Sequence, residues 1–190
     1  MKRVVFFLTF LVMSLVCFGQ TESEHLKFMG IPLEGSLSNF TNKLKAKGFK
    51  ETTEGPNLLI GYFAGIADCH IFITCFNNTN QVESVTVAFP VSESWSDLST
   101  KFSNIKMMLT EKYGEPFDEH EEFEDPYIDD SLSKFREARL GKINFKSTFN
   151  IENGFAFLKI ESRSIGCYVA LYYFDKSNLQ KAKSEALDDL

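Results

Sequence analysis

INFKSTFNIENGFAFLKIESRSIGCYVALYYF, residues 143–174, holds three apolar runs separated by short polar turns. In the first run Ile143, Phe145, Ser147, Phe149 and Ile151 alternate with Asn144, Lys146, Thr148 and Asn150. A period of two places these sets on opposite sides of a strand, one side apolar and the other in water. Asn153-Gly154 is a strong hairpin signal between this strand and the next, Phe155–Glu161. Gly166–Phe174 follows after an equally short break. Parallel pairing needs a crossover of a dozen or so residues, so these three strands read as an antiparallel meander.

The same grammar recurs upstream. Leu58–Ala64, Cys69–Phe76 and Gln81–Phe89 are apolar runs bounded by Gly55-Pro56, Gly65, the polar stretch 77–80 and Pro90. Val85, Val87 and Phe89 share one side of the third run. Cys69–Phe76 is apolar on both sides, which predicts a strand covered on both faces.

Helices separate the meanders. Ser36 is the expected N-cap of a helix over 36–47, where Leu37, Phe40 and Leu44 form one stripe and Gly48 closes the end. Ser94, with Asp97 three residues on, opens a longer helix along which Trp95, Leu98, Phe102, Ile105, Leu109 and Tyr113 keep helical spacing up to Gly114. A short helix over Ser131–Arg139 is expected to turn Leu132 and Phe135 inward. A last one over 177–188 carries Leu179, Ala182, Ala186 and Leu187 on one side. Residues 20–34 carry few structure signals, and Ile31-Pro32-Leu33 reads as an extended lead-in. Residues 118–130, DEHEEFEDPYIDD, hold eight acids in thirteen positions and read as a solvated loop.

The order helix, strands, helix, strands, helix implies an α+β fold. Its antiparallel sheet, of about six to eight strands, has helices packed on one face. The expected organisation is one domain over 20–190 built from two helix-plus-meander halves, 20–92 and 93–190. A faint echo between residues 66–71 and 165–169 fits that division.

The first nineteen residues, MKRVVFFLTFLVMSLVCFG, have a different character. Lys2 and Arg3 precede an apolar run from Val4 to Val16, and Gly19 supplies a small residue for cleavage. The run has thirteen residues, short of the roughly 20 that a spanning helix needs. It reads as a secretory signal peptide over 1–19, which places the mature protein in the periplasm or outside the cell. Val16 stands where a lipoprotein signal wants a small residue before its cysteine. Cleavage after Gly19 is therefore expected rather than a lipid on Cys17.

Cleavage would leave 18 basic residues against 26 acidic ones, taking the net charge from −6 to −8. A negative chain without a basic stripe is a poor partner for nucleic acid or for an anionic membrane surface. No membrane-spanning segment is expected after the signal. Cys69, Cys75 and Cys167 would remain, an odd set and no disulfide framework. Cys69 and Cys75 lie about 20 Å apart along one strand and cannot pair. A Cys69–Cys167 bridge stays geometrically open beside the reading of buried free thiols.

Catalytic signatures are sparse. His25, His70 and His120 lack zinc-ligand spacing, and Cys69 and His70 point to opposite faces of a strand. A Cys167 nucleophile would need His70 or His120 brought beside it by the fold. The acids of 118–125 could offer oxygens to calcium, yet the EF-hand pattern and its glycine are missing. No cofactor is implied.

Gly30-Ile31-Pro32-Leu33-Glu34-Gly35-Ser36 and Leu44-Lys45-Ala46-Lys47-Gly48-Phe49, with the strand end at 61–65 and the terminal 187–190, resemble the uncharacterised small secreted proteins of Bacteroides-type bacteria. The helix-plus-sheet layout is similar to the halves of the beta-lactamase-inhibitor protein, a likeness of architecture that implies no function. Asp130-Ser131-Leu132 resembles the Asp-Ser/Thr-apolar site at which such bacteria attach O-glycans, which would put a glycan on Ser131; the alternative is a helix cap. Tyr168 and Tyr172, alternating with Cys167, Val169 and Leu171, are the candidate ligand or partner surface unless a helix lies over them. The functional expectation is an exported, non-enzymatic module that binds a protein or a small molecule. The alternative is a hydrolase of envelope or dietary material with its site assembled from scattered residues.

Overall fold

A computed structural model describes residues 24–188 except 54, 56, 77, 78 and 165. The expected signal peptide, with Cys17, lies outside the described residues. The elements in chain order are β1 (Lys27–Phe28), β2 (Ile31–Pro32), α1 (Leu37–Ala46), β3 (Lys50–Glu51), β4 (Leu58–Phe63), β5 (Ile66–Cys75) and β6 (Val82–Ala88). Then come α2 (Trp95–Tyr113), β7 (Asp118–Phe123), α3 (Ser131–Arg139), β8 (Ile143–Ile151), β9 (Gly154–Arg163), β10 (Gly166–Asp175) and α4 (Lys176–Asp188).

The fold is α+β, as the strand pattern implies. β1 and β2 form a small hairpin, and the other strands form one eight-stranded sheet in the order β3-β4-β5-β6-β10-β9-β8-β7. Every pairing in it is antiparallel. Two four-stranded meanders thus lie side by side, joined where β6 pairs with β10 through Val87–Leu171 and Val85–Tyr173.

Local chemistry sets the element ends. The Ser36 hydroxyl accepts from Asn39 N–H at the start of α1, and the Ser94 hydroxyl accepts from Asp97 N–H at the start of α2. The β4–β5 turn runs through Ala64 (φ 50°) and Gly65 (φ 82°), two left-handed residues of the kind a tight hairpin needs. The β8–β9 turn is carried by Glu152 and Asn153, one position earlier than the Asn-Gly pair predicts, with Asn153 at φ 63° and Gly154 opening the strand.

Residue register explains the core. Ile71, Val87, Leu171 and Leu158 stand opposite one another across four strands, and Ile73, Val85, Tyr173 and Ala156 form the next row. These rows face α1 and α2, whose Phe40, Leu44, Leu98, Phe102, Ile105 and Leu109 join them in one buried cluster. α3 adds Ala138 and the partly buried Phe135 to the same cluster. α4 follows β10 without a break and crosses the end of the sheet. There Leu179 lines an open surface hollow with Gly154 and Phe155, and Lys181 Nζ sits 4.5 Å from the Phe76 ring.

Four expectations are corrected. Residues 27–32 form a hairpin instead of a plain lead-in, and its Leu26, Phe28, Ile31 and Leu33 are buried. Residues 118–123 form an edge strand instead of a loop, because charges can sit on both sides of it: Glu119 and Glu121 accept from Lys106, and Asp118 lies 3.6 Å from Lys146. β5 is interior yet covered on one face only; Cys69, Ile71 and Ile73 are buried while Phe72 is 44% exposed. In α3 the side chain of Leu132 points to solvent, 84% exposed, and the helix packs through Phe135 and Ala138.

A polar clasp ties residues 25–33 and the first turn of α4 to the sheet. Asp175 is fully buried; its carboxylate accepts from Leu26 N–H at 2.5 Å and Asn178 N–H at 2.7 Å, and His25 Nδ1 lies 3.1 Å away. Asn178 Nδ2 donates to the carbonyls of Leu33, Val82 and Glu83. By contrast, the buried Ser147 hydroxyl has no hydrogen-bond partner among the described residues. Removing one side of a buried polar contact strands the other, whereas removing an unpaired hydroxyl strands nothing. Asn178→Ala is therefore expected to lose about 3 kcal/mol in urea unfolding, and Ser147→Ala to hold or gain about 1 kcal/mol.

Candidate interaction face

The sheet face turned away from α1, α2 and α3 carries an aromatic band. Leu58, Phe72, Thr86, Tyr172 and Phe157 stand opposite one another across β4, β5, β6, β10 and β9. Tyr172 stacks on Phe174 with ring centroids 6.0 Å apart and planes 4° apart. Phe157 lies 5.8 Å from Tyr172, and Phe155 lies 5.0 Å from Phe174. Aromatic pairs at such spacing stabilise a sheet face beyond the area they bury.

Tyr168 and Tyr172 sit in this band, and no described helix lies over them. With Phe72, Thr86, Ala88, Ala170 and Arg163 they line a shallow hollow of about 200 Å³ built only from strand residues. Tyr168 is 6% exposed, pressed against its neighbours, while Phe72 leaves much of its ring in water. The Tyr172 hydroxyl donates to Glu161 Oε1 at 2.8 Å. Burial first, and then that carboxylate, push the Tyr172 hydroxyl well above the ordinary phenol range; burial raises Tyr168 as well. Both tyrosines keep their protons at any physiological pH.

Arg163 completes the hollow and was not signalled by the sequence. Lys159 beside it is paired with Glu161 at 3.4 Å, but Arg163 has no ion pair or hydrogen bond among the described residues. Its significance comes from its position next to two tyrosines from another strand, which no local motif encodes.

The other candidates do not converge. Cys69 and Cys167 are free, buried thiols on the helix-covered face. Their strands flank β6, so about 10 Å of sheet separates them, beyond the roughly 7 Å a disulfide spans. This closes the Cys69–Cys167 bridge that the sequence leaves open. Cys167 also lacks an imidazole. His70 alternates with buried Cys69 and so faces the opposite side of the sheet, and His120 stands on β7, three strands away. His120 lies 3.2 Å from Asp118 and 3.5 Å from Glu122 on the exposed edge. The acids of 118–122 divide between the two sides of β7, and among the described residues no cluster of three or more His, Cys, Asp or Glu could hold a metal. Ser131 is exposed at the first position of α3, where Asp130, not Ser131, caps the helix by accepting from Ser133 N–H at 2.9 Å.

A larger open cleft of about 590 Å³ runs between α1 and the β3–β4 edge. Two charges among its described lining residues, Lys45 and Glu51, are paired with each other at 2.5 Å. No described helix is long and apolar enough to cross a membrane. No family model matches the chain, and no curated protein and no solved structure matches it either.

Burial pushes the Cys69 thiol up from 9.0 to about 11. The native thiol then holds its proton where the unfolded one has lost it, so unfolding releases a proton and stability falls as the pH rises from 9 to 11. Urea unfolding across that window is expected to show this fall. It should be shallower in Cys69→Ala, whose remaining slope comes from the thiols of Cys75 and Cys167, also raised by burial, and from the buried tyrosines; an unchanged slope would contradict the assignment.

Proposed function

We propose that the protein is an exported, non-enzymatic binding module that receives a partner protein on the helix-free face of its sheet. One observation carries the reading: Arg163, unpaired among the described residues, stands beside an aromatic hollow that no described helix covers. Exposed apolar patches with a polar rim are the usual mark of an interaction site. Aromatic residues and arginine are the side chains most enriched at interface centres. The hollow, of about 200 Å³, suits one apolar side chain of a partner. The free guanidinium calls for a carboxylate on that partner, next to the inserted side chain.

Export rests on residues 1–19 and is part of the same proposal. The protein recovered from its host is expected to have an intact mass that begins at Gln20. A diacylglycerol mass on Cys17 would contradict a soluble form. The same spectrum reads the exposed Ser131: a glycan there predicts a lower mass for Ser131→Ala, beyond the lost oxygen, and no such loss excludes it.

The binding claim is tested with a partner captured from the host's envelope and medium, then purified and measured directly. Arg163→Glu and Tyr172→Ser should each weaken that complex at least tenfold, about 1.4 kcal/mol or more. Met107→Ser, on the exposed side of α2 (63% exposed), should leave it unchanged. Equal affinity for all three variants would overturn the proposal. Self-association abolished by the same two variants would replace the partner with a second copy of the chain.

A further inference from the structure

Arg163 follows Glu161 by two residues on β9, and a period of two puts both side chains on the same side of the sheet. A carboxylate and a guanidinium so placed ordinarily pair, because the arginine fork matches the two carboxylate oxygens. Here they stand apart. Glu161 is paired with Lys159 at 3.4 Å and accepts from the Tyr172 hydroxyl at 2.8 Å.

Register explains the direction of this choice. Across β9 and β10, Tyr168 stands opposite Glu161, Ala170 opposite Lys159 and Tyr172 opposite Phe157. Lys159 and Tyr172 therefore lie to one side of Glu161 along the strands, and Arg163, opposite Gly166, lies to the other. Both contacts use the same oxygen, Oε1, so the carboxylate is drawn toward the Tyr172 end. Gly166 presents no side chain across from Arg163, which joins Tyr168 and Tyr172 in lining the hollow. The charges of Arg163 and Glu161 both reach the Tyr168 hydroxyl and act on it in opposite directions. They are near neighbours that do not join.

Of the two restraints on Glu161, the tyrosine is the firmer. The Lys159 side chain is 42% exposed, and an ion pair so open to water is screened and weak. The Tyr172 hydroxyl makes a short hydrogen bond to a charged acceptor that is only 18% exposed.

We propose that Glu161 is a built-in competitor for Arg163, and that the Tyr172 hydroxyl holds it off and leaves the guanidinium to a carboxylate from outside. Tyr172 is in this respect a positioning residue, acting through Glu161. Regulation of binding in this way presupposes the proposed use of the face, but the competition itself belongs to the free protein and is measured there.

Tyr172→Phe removes the hydroxyl and keeps the ring. In the free protein, hydrogen exchange of the Arg163 Nε–H, followed by NMR, should slow several-fold in Tyr172→Phe as Glu161 turns to Arg163. It should return to the rate of the unsubstituted protein in Tyr172→Phe/Glu161→Gln. Against the captured partner, Tyr172→Phe should weaken binding about tenfold, and adding Glu161→Gln should restore most of the loss. Melting curves establish that each variant is folded. Equal Arg163 exchange in Tyr172→Phe and the unsubstituted protein overturns the proposal. So does a loss of affinity in Tyr172→Phe that Glu161→Gln fails to restore, which would place the hydroxyl in direct contact with the partner. Absence of any partner would overturn the proposed function, and the exchange measurement would still decide the competition.

Discussion

The pairing of β6 with β10 is the constraint on which the rest depends. It joins two four-stranded meanders into one sheet and removes two interior edges that would otherwise present unpaired backbone. It also fixes register. With Val87 opposite Leu171, the row from Ile71 to Leu158 lies entirely on one side. A slip by one residue would turn every member of the row to the other face. Since Phe40, Leu44, Leu98, Phe102 and Leu109 all converge on that side, the helices cannot cover both faces. The remaining edges are blunted separately: β3 has only two residues, and β7 is charged along its length.

One-sided coverage explains the character of the other face. Residues between the buried rows need not be apolar, and across most of the sheet they are not: Thr74, Thr86, Lys146, Thr148, Lys159 and Glu161 stand there. Against that background Phe72, Tyr168, Tyr172, Phe157 and Phe174 form a contiguous exception. Phe157, Tyr172 and Phe174 pack ring to ring, and Tyr168 lines the hollow beside Phe72, Tyr172 and Arg163. Phe72 at the margin stays in water, and Arg163 has no counter-charge among the described residues. Such a band is costly to leave bare, and covering it on contact with a partner is the use that its chemistry supports.

Much of the scaffold could be read from local pattern. Helix caps at Ser36 and Ser94, the stripe from Leu98 to Leu109 and the alternation along 143–151 each encode their own structure, because each depends on neighbours within a turn or a strand. The parts that escaped depend on distant neighbours. β7 looks like a solvated loop because its stability comes from Lys106 and Lys146, which are remote in sequence. β1 and β2 have two residues each, too few for a period to register, although Phe28 and Ile31 are core residues. Phe72 makes β5 look covered on both sides, since sequence records that a residue is apolar and not whether anything packs against it. Asn178 and Asp175 look like ordinary helix-start residues, and their worth lies in the carbonyls and N–H groups that the fold brings to them. Of the interaction face, the two tyrosines were legible from alternation alone. Arg163 was not, because its place beside two tyrosines from another strand is a property of three-dimensional space.

The central claim is that the aromatic face is open to solvent while the helix face is sealed. The most direct measurement is line broadening by a neutral gadolinium chelate in solution, read on the aromatic ring signals. The account predicts strong broadening of Phe72, weaker broadening of Tyr172, and sharp lines from Phe102 and Phe149. Equal protection of Phe72 and Phe102 would mean that both faces are covered and would contradict it.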